Sequence, residues 1–385
     1  MNFLACTIDR IAERFVSSKS LHAARPVRIG VFSKGSNSTT SVQRKKSSGS
    51  VSTGIVQPQT PFTLQSFAIL RTIGTGSFGR VHLVQNTHNR KYYALKVLKK
   101  SLILQTKQLE HVKSERNILL QAKHPFIVQL HGTMQDASCV FLVMEFVEGG
   151  ELFTLMRRLG RLPLLAAKFY AAEVLLALEY LHKQDVVYRD LKPENILIDR
   201  EGHVKLVDFG FSKRTTEQTW TLCGTPAYIA PEIIEGNGYG KAVDMYALGI
   251  LIYEMLWGTP PWEQGEQETE MQLYERILHT ELIFPAALAA FDPLAVDLIR
   301  KLCEKDPKKR LGNMYKGWTA IKEHAWFKGL KWEKVEAKKT KTPFIPTLSH
   351  LGDCKNFELY PEEQDVQFYG KDTCVDAYGD AFASF

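Results

Sequence analysis

The chain lacks the features that mark several classes of protein. No apolar run approaches the roughly 18 residues that a membrane-spanning helix needs. The six cysteines are scattered, without a CxxC pair or a metal-ligand spacing, so we expect reduced thiols in an intracellular protein. Asn2 follows Met1, where a myristoylated chain has glycine. At 44% apolar and 24% charged residues, the composition excludes a wholly disordered or collagen-like protein.

Positive charge is in excess at one end of the chain only. Residues 1–65 hold nine of the 49 Lys and Arg and two of the 42 Asp and Glu, so this segment carries the whole net charge of +7. The remaining residues hold equal numbers of each sign. The charge therefore does not indicate a nucleic-acid-binding face on the folded body, and we expect no nucleic-acid partner.

Residues 1–66 have the composition of an extension rather than a domain. Residues 17–60 are rich in Ser, Thr and Gly, which predicts a basic, disordered leader. Ahead of it, apolar residues recur at helical spacing and predict one short amphipathic helix: Leu4, Ile8, Ile11 and Phe15. Two interpretations stay open, a helix that docks on the body and a helix that targets a membrane surface or organelle. Asp9 and Glu13 argue against targeting.

From Phe67 onward the periodicity indicates a small, strand-rich lobe. A helical pattern at about 107–121 separates two groups of strand-like runs, at 67–73, 80–84 and 92–98 and then near 127–133 and 139–145. After Gly149 and Gly150 most of the chain to residue 326 has helical periodicity, apart from 186–234. The order of these patterns favours an α+β fold with a small antiparallel β lobe, one main helix and a larger helical lobe.

The run at 74–81 reads GxGxxGxV. Because strand-like sequence flanks it on both sides, we interpret it as a hairpin turn over a ligand rather than as a dinucleotide fingerprint. Glycines there let backbone N–H groups approach phosphate oxygens. In the next strand-like run, Lys96 stands at the spacing where a lysine holds the α- and β-phosphates. Glu115, on the helical segment, is the natural partner that would orient Lys96.

The most specific string in the chain is YRDLKPEN at 188–195. It is followed by DFG at 208–210 and by APE at 230–232, in the order and spacing that phosphoryl transfer requires.

Four side chains of these strings have distinct predicted roles. Asp190 orients the acceptor hydroxyl and takes its proton, while Lys192 neutralises the migrating phosphoryl group. Asn195 and Asp208 hold Mg²⁺ between the phosphates. A scaffold without catalysis is disfavoured because Lys96 and all of these residues are present.

On these motifs the chain resembles the eukaryotic protein kinases, and within them the cAMP-dependent branch of the AGC group. The resemblance runs from about Phe67 to Phe385 and leaves the leader outside. Four features narrow the resemblance to the cAMP-dependent branch: TWTLCGTP at 219–226, PFIP at 343–346, Asn356 with Phe357, and a terminal FxxF at 382–385. It implies a two-lobed kinase domain at 67–327, with the small lobe at 67–147 and the large lobe at 148–327, and a C-terminal tail at 328–385.

The resemblance also implies the ligands. It predicts a Ser/Thr protein kinase that uses ATP with two Mg²⁺ ions, and it places the nucleotide against residues of the glycine run, the sheet, the inter-lobe hinge and the tail. These are Ile73, Gly74, Thr75, Gly76, Ser77, Phe78, Gly79, Val81, Ala94, Lys96, Met144, Glu145, Val147, Glu151, Glu194, Leu197 and Phe357. Four apolar residues would stack as a regulatory spine: Leu119, Leu130, Tyr188 and Phe209.

Phosphosites and substrate contacts follow from the same resemblance. It implies phosphosites at Thr221, with the phosphate held by His111, Arg189 and Lys213, and at Thr373 in the tail. Carboxylates for substrate arginines would be Glu151, Glu194 and Glu254, and the pocket for the next, apolar residue would be Leu222, Pro226 and Ile229. The expected target is Arg-Arg-x-Ser/Thr-hydrophobic, and the expected partners are basic protein substrates, a cAMP-binding regulatory subunit and an upstream kinase unless Thr221 is self-phosphorylated.

The chain departs from the family at several positions, none in the phosphoryl-transfer strings. These are Val207, Gln218, Ala227, the Met245-Tyr246 pair and Pro361. They leave substrate stringency and regulatory-subunit affinity open.

Other functions remain as alternatives, namely a pseudokinase scaffold, a small-molecule phosphotransferase, and a cGMP-dependent type of AGC kinase. The last is disfavoured because about 66 residues are too few for a cyclic-nucleotide domain. We expect a cytoplasmic protein, with the nucleus as a second compartment.

Overall fold

The glycine run forms a hairpin at one edge of a five-stranded antiparallel sheet, in the strand order β1-β2-β3-β5-β4. Gly76 pairs with Gly79 across the turn. The computed structural model describes residues 62–215, 218–286, 290, 292–362, 369, 376, 378–383 and 385. The strands are β1 Phe67–Gly76, β2 Gly79–Asn86, β3 Tyr92–Lys99, β4 Leu130–Gln135 and β5 Cys139–Glu145.

Two helices lie between β3 and β4. The predicted helical segment is α2, Leu109–Gln121, which buries Glu115 on the same face as apolar residues and packs against β4. The other helix, α1 at Lys100–Gln105, was not predicted. It has only six residues and no side chain caps its N-terminus, so it carries neither a periodic stripe nor a start signal.

Helices predominate after residue 150. They are α3 Leu152–Leu159, α4 Leu164–Lys183, α5 Pro231–Ile234, α6 Ala242–Trp257, α7 Glu270–His279, α8 Pro293–Leu302 and α9 Trp318–Lys322. Two small antiparallel sheets of two strands each interrupt them between α4 and α5, where the sequence lacks helical periodicity. One pairs β6 Val186–Val187 with β9 Lys213–Arg214, and the other is a hairpin of β7 Ile196–Ile198 and β8 Val204–Leu206.

The core of the helical part is α6. Every residue of this helix except Trp257 is buried, as expected for a helix that is apolar all round. It packs against α4 and α8. Its one aspartate, Asp244, is therefore held in the interior below the segment that carries Asp190.

The described part of the tail after residue 328 contains two short helices, α10 Trp332–Glu336 and α11 Gly379–Phe382. Their four or five residues are too few to give a readable period. Phe382 is fully buried, and its backbone carbonyl accepts a hydrogen bond from Gln135 on β4.

Before α11 the tail packs on the turn between β7 and β8. The Lys338 ammonium lies 2.7 Å from Asp199, and the Thr342 hydroxyl donates to the Glu201 carbonyl at 2.8 Å. Gly202 has φ +90°, and a Cβ there would lie 2.0 Å from the Phe344 carbonyl oxygen. Glycine at 202 is thus required both by the turn and by the tail.

The predicted α+β class, with an antiparallel small lobe and a helical large lobe, is confirmed. Within the described ranges, no helix is long and apolar enough to cross a bilayer. Cys139, Cys223, Cys303 and Cys354 are free thiols. The predicted amphipathic helix and leader fall within residues 1–61, outside the described part of the chain.

Candidate active site

Lys96 on β3 lies between two carboxylates. Its ammonium is 2.7 Å from Glu115 Oε1 on α2 and 3.4 Å from Asp208 Oδ1. Although burial opposes its charge, Asp208 and Glu115 raise the pKa of Lys96 above the ordinary value. Lys96, which stays charged at neutral pH, therefore links the sheet to α2 and to the DFG string.

Asp208 has an unusual backbone conformation. Its φ is +55°, in the left-handed region that non-glycine residues seldom occupy. The Gly210 N–H donates to Asp208 Oδ1 at 3.2 Å. The Lys96 ammonium lowers the pKa of Asp208, so the carboxylate is ionised at neutral pH.

Asp244 on α6 holds the backbone that leads to Asp190. Its carboxylate accepts hydrogen bonds from the backbone N–H groups of Tyr188 and Arg189, both at 2.8 Å, and contacts His182 Nε2 at 2.7 Å. Arg189 has φ +70°. A buried carboxylate thus fixes a strained peptide immediately before the predicted catalytic base.

Asp190 is the centre of a hydrogen-bonded group. Its Oδ2 accepts from Asn195 Nδ2 at 2.7 Å and lies 3.1 Å from Lys192 Nζ. Its Oδ1 accepts from the Thr225 hydroxyl at 3.1 Å, and Lys192 Nζ also donates to that hydroxyl oxygen at 2.9 Å. These contacts fix the carboxylate between the string at 188–195 and the stretch from DFG to APE at 208–232, which we call the activation segment.

The donor set suits a magnesium ion. The Asn195 amide nitrogen is used twice, since it also donates to the Asp190 carbonyl at 2.8 Å, and this orients the amide oxygen away from Asp190. Asp208 is about half exposed and ionised. An amide oxygen and a carboxylate are the hard oxygen ligands that Mg²⁺ prefers.

Several of the predicted nucleotide contacts form one apolar cluster. Ile73 and Ala94 are buried with Leu83, and the partly buried Val81 and Met144 pack against them. The tail closes this cluster, because Phe357 also packs on it and its ring centroid is 5.8 Å from that of Phe146. Of the other predicted nucleotide contacts, Val147 between the lobes is buried and Leu197 on β7 is half-buried.

Glu145 has its side chain engaged elsewhere. The carboxylate contacts Lys205 at 2.9 Å and the backbone N–H donates to Gln129 at 2.9 Å. Its predicted contact with the nucleotide would therefore use its backbone carbonyl group.

The glycine hairpin presents its tip to solvent. Thr75, Gly76 and Ser77 are exposed, while Gly74 and Phe78 are half-buried. Gly79 has a second reason to be glycine, because a Cβ there would lie 1.8 Å from the Val97 carbonyl oxygen on β3.

The four predicted spine residues lie in one core cluster. Leu119, Leu130, Tyr188 and Phe209 are all buried. The Tyr188 and Phe209 rings meet edge to face with centroids 5.2 Å apart. This packing holds the DFG string against α2 and β4.

The activation segment brings a group of cations together. Arg189 donates to the Phe211 carbonyl at 2.6 Å, and Lys213 donates to the Thr219 hydroxyl at 3.2 Å. Burial lowers the pKa of His111, and the charges of Arg189 and Lys213 lower it further. Thr221, the predicted phosphosite, is exposed. The second predicted phosphosite, Thr373, lies outside the described residues.

Glu194 raises the pKa of both other predicted substrate carboxylates. Burial raises the pKa of Glu151 to about 7, and Glu194 and Glu358 add to the shift. Burial likewise raises the pKa of Glu254 to about 7, with a further contribution from Glu194 and with opposition from the hydrogen bond that the Tyr228 hydroxyl donates. Glu254 is buried and the other two are half-buried, and such a group of like charges favours a cationic ligand.

The predicted apolar pocket is only partly accessible. Leu222 and Pro226 are half-buried, whereas Ile229 is 3% exposed and belongs to the core. Of the residues that depart from the family, Ala227 is half-buried beside Pro226. Tyr246 is buried on α6, and its hydroxyl accepts a hydrogen bond from Trp262 Nε1 at 3.0 Å.

Three residues that organise the site were not predicted from the sequence. Thr225 lies in the TWTLCGTP string, where its hydroxyl group could have indicated a role. Asp244 and Arg310 carry no local signal. Arg310 donates two hydrogen bonds to Glu232 of the APE string, at 2.6 and 2.9 Å, where both side chains are buried.

A family model described as the protein kinase domain matches residues 67–327, more than half of the chain. The chain belongs to the protein kinase family. It is 50% identical over 326 residues to a cAMP-dependent protein kinase catalytic subunit of Arthrobotrys oligospora, covering 84% of this chain and 61% of the relative. It is also 50% identical over 317 residues to cAMP-dependent protein kinase type 3 of Saccharomyces cerevisiae, covering 82% and 78%.

A mouse relative, cAMP-dependent protein kinase catalytic subunit PRKX, is 49% identical over 302 residues, covering 78% of this chain and 83% of the relative. Coverage of the relatives is uneven. The chain matches only 61% of the Arthrobotrys protein and 49% of a Dictyostelium discoideum catalytic subunit.

Proposed function

We propose that the chain is a Ser/Thr protein kinase that transfers the γ-phosphoryl group of ATP to hydroxyl groups of proteins. The observation that carries this proposal is the assembled charge geometry: Lys96 pairs with Glu115 and Asp208, while Asp190 is fixed by Asn195 and Thr225. A scaffold protein would not need these polar groups to lie together. The relatives of this chain are named as kinases, which supports the proposed kinase activity.

Asp190 would perform the proton transfer. The acceptor oxygen forms a bond to the γ-phosphorus, the bond from that phosphorus to the β,γ-bridging oxygen breaks, and the hydroxyl proton passes to the Asp190 carboxylate. Lys192 lies 3.1 Å from Asp190, so its ammonium would face the negative charge that develops on the transferred group.

Asn195 and Asp208 would hold Mg²⁺, through the amide oxygen and the ionised carboxylate. When bound, Mg²⁺ supplies positive charge between the phosphates. Lys96 would hold the α- and β-phosphates, because two carboxylates keep it charged and fixed.

The preferred substrates would be basic. Glu151, Glu194 and Glu254 would pair with arginines two and three positions before the acceptor, since burial of like charges makes a cationic partner favourable. Leu222 and Pro226, with Ile229 behind them, would contact the apolar residue after the acceptor. The resulting consensus is Arg-Arg-x-Ser/Thr-hydrophobic.

Regulation would involve phosphorylation of Thr221 and a separate cAMP-binding subunit. The cluster of His111, Arg189 and Lys213 supports the first, and the names of the relatives support the second. The free thiols in the described residues suit the reducing cytoplasm or nucleus.

A positional scanning peptide assay tests the proposal. The full chain is incubated with MgATP and peptides that vary around Ser, with and without a cAMP-binding regulatory subunit. Phosphate transfer that requires Arg at the two upstream positions, and that cAMP restores after inhibition, is the expected result. A chain that transfers no phosphate to any peptide after Thr221 phosphorylation would be a scaffold.

A further inference from the structure

The tail crosses the two strands that carry the glycine hairpin. Arg71 on β1 donates to the Glu358 carbonyl at 2.7 Å, and Arg80 on β2 donates to the Pro361 carbonyl at 2.6 Å. Proline at 361 fixes its own φ, which limits the conformations that this part of the tail must give up on docking. The tail backbone is thus held at two points next to the hairpin.

Glu362 makes the most direct contact. Its Oε1 accepts the backbone N–H of Thr72 at 2.6 Å, and its Oε2 accepts the Thr72 hydroxyl at 2.7 Å. Thr72 is fully buried and lies two residues before Gly74, on an edge strand whose pairing with β2 is irregular between these two residues. The tail carboxylate therefore bonds the backbone of β1 at the base of the hairpin.

The contact continues to β2 through His82. The Thr72 hydroxyl oxygen lies 3.2 Å from His82 Nδ1, and His82 is fully buried. An ionised carboxylate can only accept, so the single hydroxyl proton of Thr72 goes to Glu362 and the hydroxyl oxygen accepts from His82 Nδ1–H. Desolvation by its contacts on β1 opposes ionisation of the exposed Glu362 side chain, but the two hydrogen bonds from Thr72 lower its pKa. Hydrogen bonds donated from His82 to Thr72, and from Thr72 to Glu362, thus link both strands to the tail.

We propose that Glu362 is a positioning residue for the nucleotide, which acts through Thr72 and His82 to fix the register and angle of the glycine hairpin. The proposal rests on the proposed function. Both hydrogen bonds of Glu362 go to Thr72 on β1, so its effect would reach the nucleotide through the strands.

The position of the contact predicts which kinetic constant responds. Asp190, Lys192 and Asn195 lie on the helical lobe, and none of them contacts the tail segment at 358–362 among the described hydrogen bonds and ion pairs. Loss of the carboxylate frees the hairpin and weakens nucleotide binding. Chemistry on bound nucleotide changes little, so KM for ATP rises while kcat stays near its wild-type value.

The test compares Glu362→Gln with Glu336→Gln in the full chain. Glu336 is an exposed tail carboxylate on α10 and serves as the matched control. The measurements are kcat, KM for ATP, and the equilibrium Kd of MgATP. We expect Glu362→Gln to raise both KM and Kd about tenfold, as loss of a charge-assisted hydrogen bond implies, with kcat within about twofold and no change in the control.

A second pair of variants separates positioning from folding. Thr72→Ser keeps both donors and should leave KM for ATP at the wild-type value. Thr72→Val keeps only the backbone donor and should raise KM for ATP. Unchanged KM and Kd in Glu362→Gln, in a protein whose wild type transfers phosphate, would overturn the inference. A wild type that binds MgATP with a Kd sensitive to Glu362→Gln but transfers no phosphate would overturn the proposed function and leave the positioning role standing.

Discussion

Arg310 and Glu232 form a bidentate ion pair in the interior of the large lobe, with Arg310 fully buried and Glu232 4% exposed. The arginine also donates to the Ala242 carbonyl at the start of α6 at 3.0 Å. The pair therefore attaches the end of the activation segment to the core helix.

Removal of Arg310 should destabilise the fold strongly. Arg310→Ala leaves a buried carboxylate without its partner, which costs about 3–5 kcal/mol. Lys308→Ala, at an exposed position nearby in sequence, is the control and should change the free energy of unfolding by less than about 0.5 kcal/mol. Urea denaturation measures both. Equal stability of the two variants would show that the pair contributes nothing.

Substitutions at two glycines can separate the contribution of tail docking to stability from that of backbone conformation. Gly202 and Gly236 both have positive φ, +90° and +69°, but a Cβ at 236 meets no atom within 4 Å. Gly236→Ala should cost about 1–2 kcal/mol for the left-handed conformation alone. Gly202→Ala should cost more, because its Cβ would also collide with the Phe344 carbonyl. Thermal unfolding that gives the same loss for both would mean that the tail does not bind this turn.

Recognition of arginine should depend on pH. The pKa values of Glu151 and Glu254 are raised to about 7 in the protein without substrate, so both carboxylates gain protons as pH falls through 7. A protonated carboxyl pairs poorly with arginine, and KM for an Arg-Arg peptide should therefore rise between pH 8 and pH 6. A peptide with alanine at both positions is the control. Parallel pH profiles for the two peptides would exclude these carboxylates from arginine binding.

Phosphorylation of Thr221 should relieve the repulsion among His111, Arg189 and Lys213. Burial lowers the pKa of His111, and the charges of Arg189 and Lys213 lower it further; a phosphate dianion would oppose the contribution of these two cations, so that the pKa should rise on phosphorylation. NMR titration of the His111 ring measures the shift directly. Activity should fall in Thr221→Ala, and an equally active Thr221→Ala protein would contradict the role of the cluster.

The sequence predicted those parts of the site that are written in contiguous strings. Lys96, Asp190, Asn195 and Asp208 could be located because their chemistry and spacing are local to a few short segments. The hairpin over the ligand also followed from local pattern, since strands flank the glycines on both sides. The fold class followed from the change of periodicity near Gly149.

Other parts depend on contacts that no local pattern encodes. Thr225 reaches Asp190 only through the path of the activation segment. Glu362 meets Thr72 across 290 positions of sequence. Asp244 is one polar residue in an apolar helix, and its partners are backbone groups that any residue would offer. Helix α1 and the tail helices are too short for periodicity to detect.

The central claim is that Asp190 is the base for phosphoryl transfer in a site that binds ATP independently of it. The direct test is single-turnover phosphate transfer to an Arg-Arg-x-Ser peptide by wild type and Asp190→Ala, with the Kd of MgATP measured on the same samples. We expect transfer to slow by about 10²–10⁴-fold, with the Kd nearly unchanged. Transfer at the wild-type rate in Asp190→Ala would contradict the account.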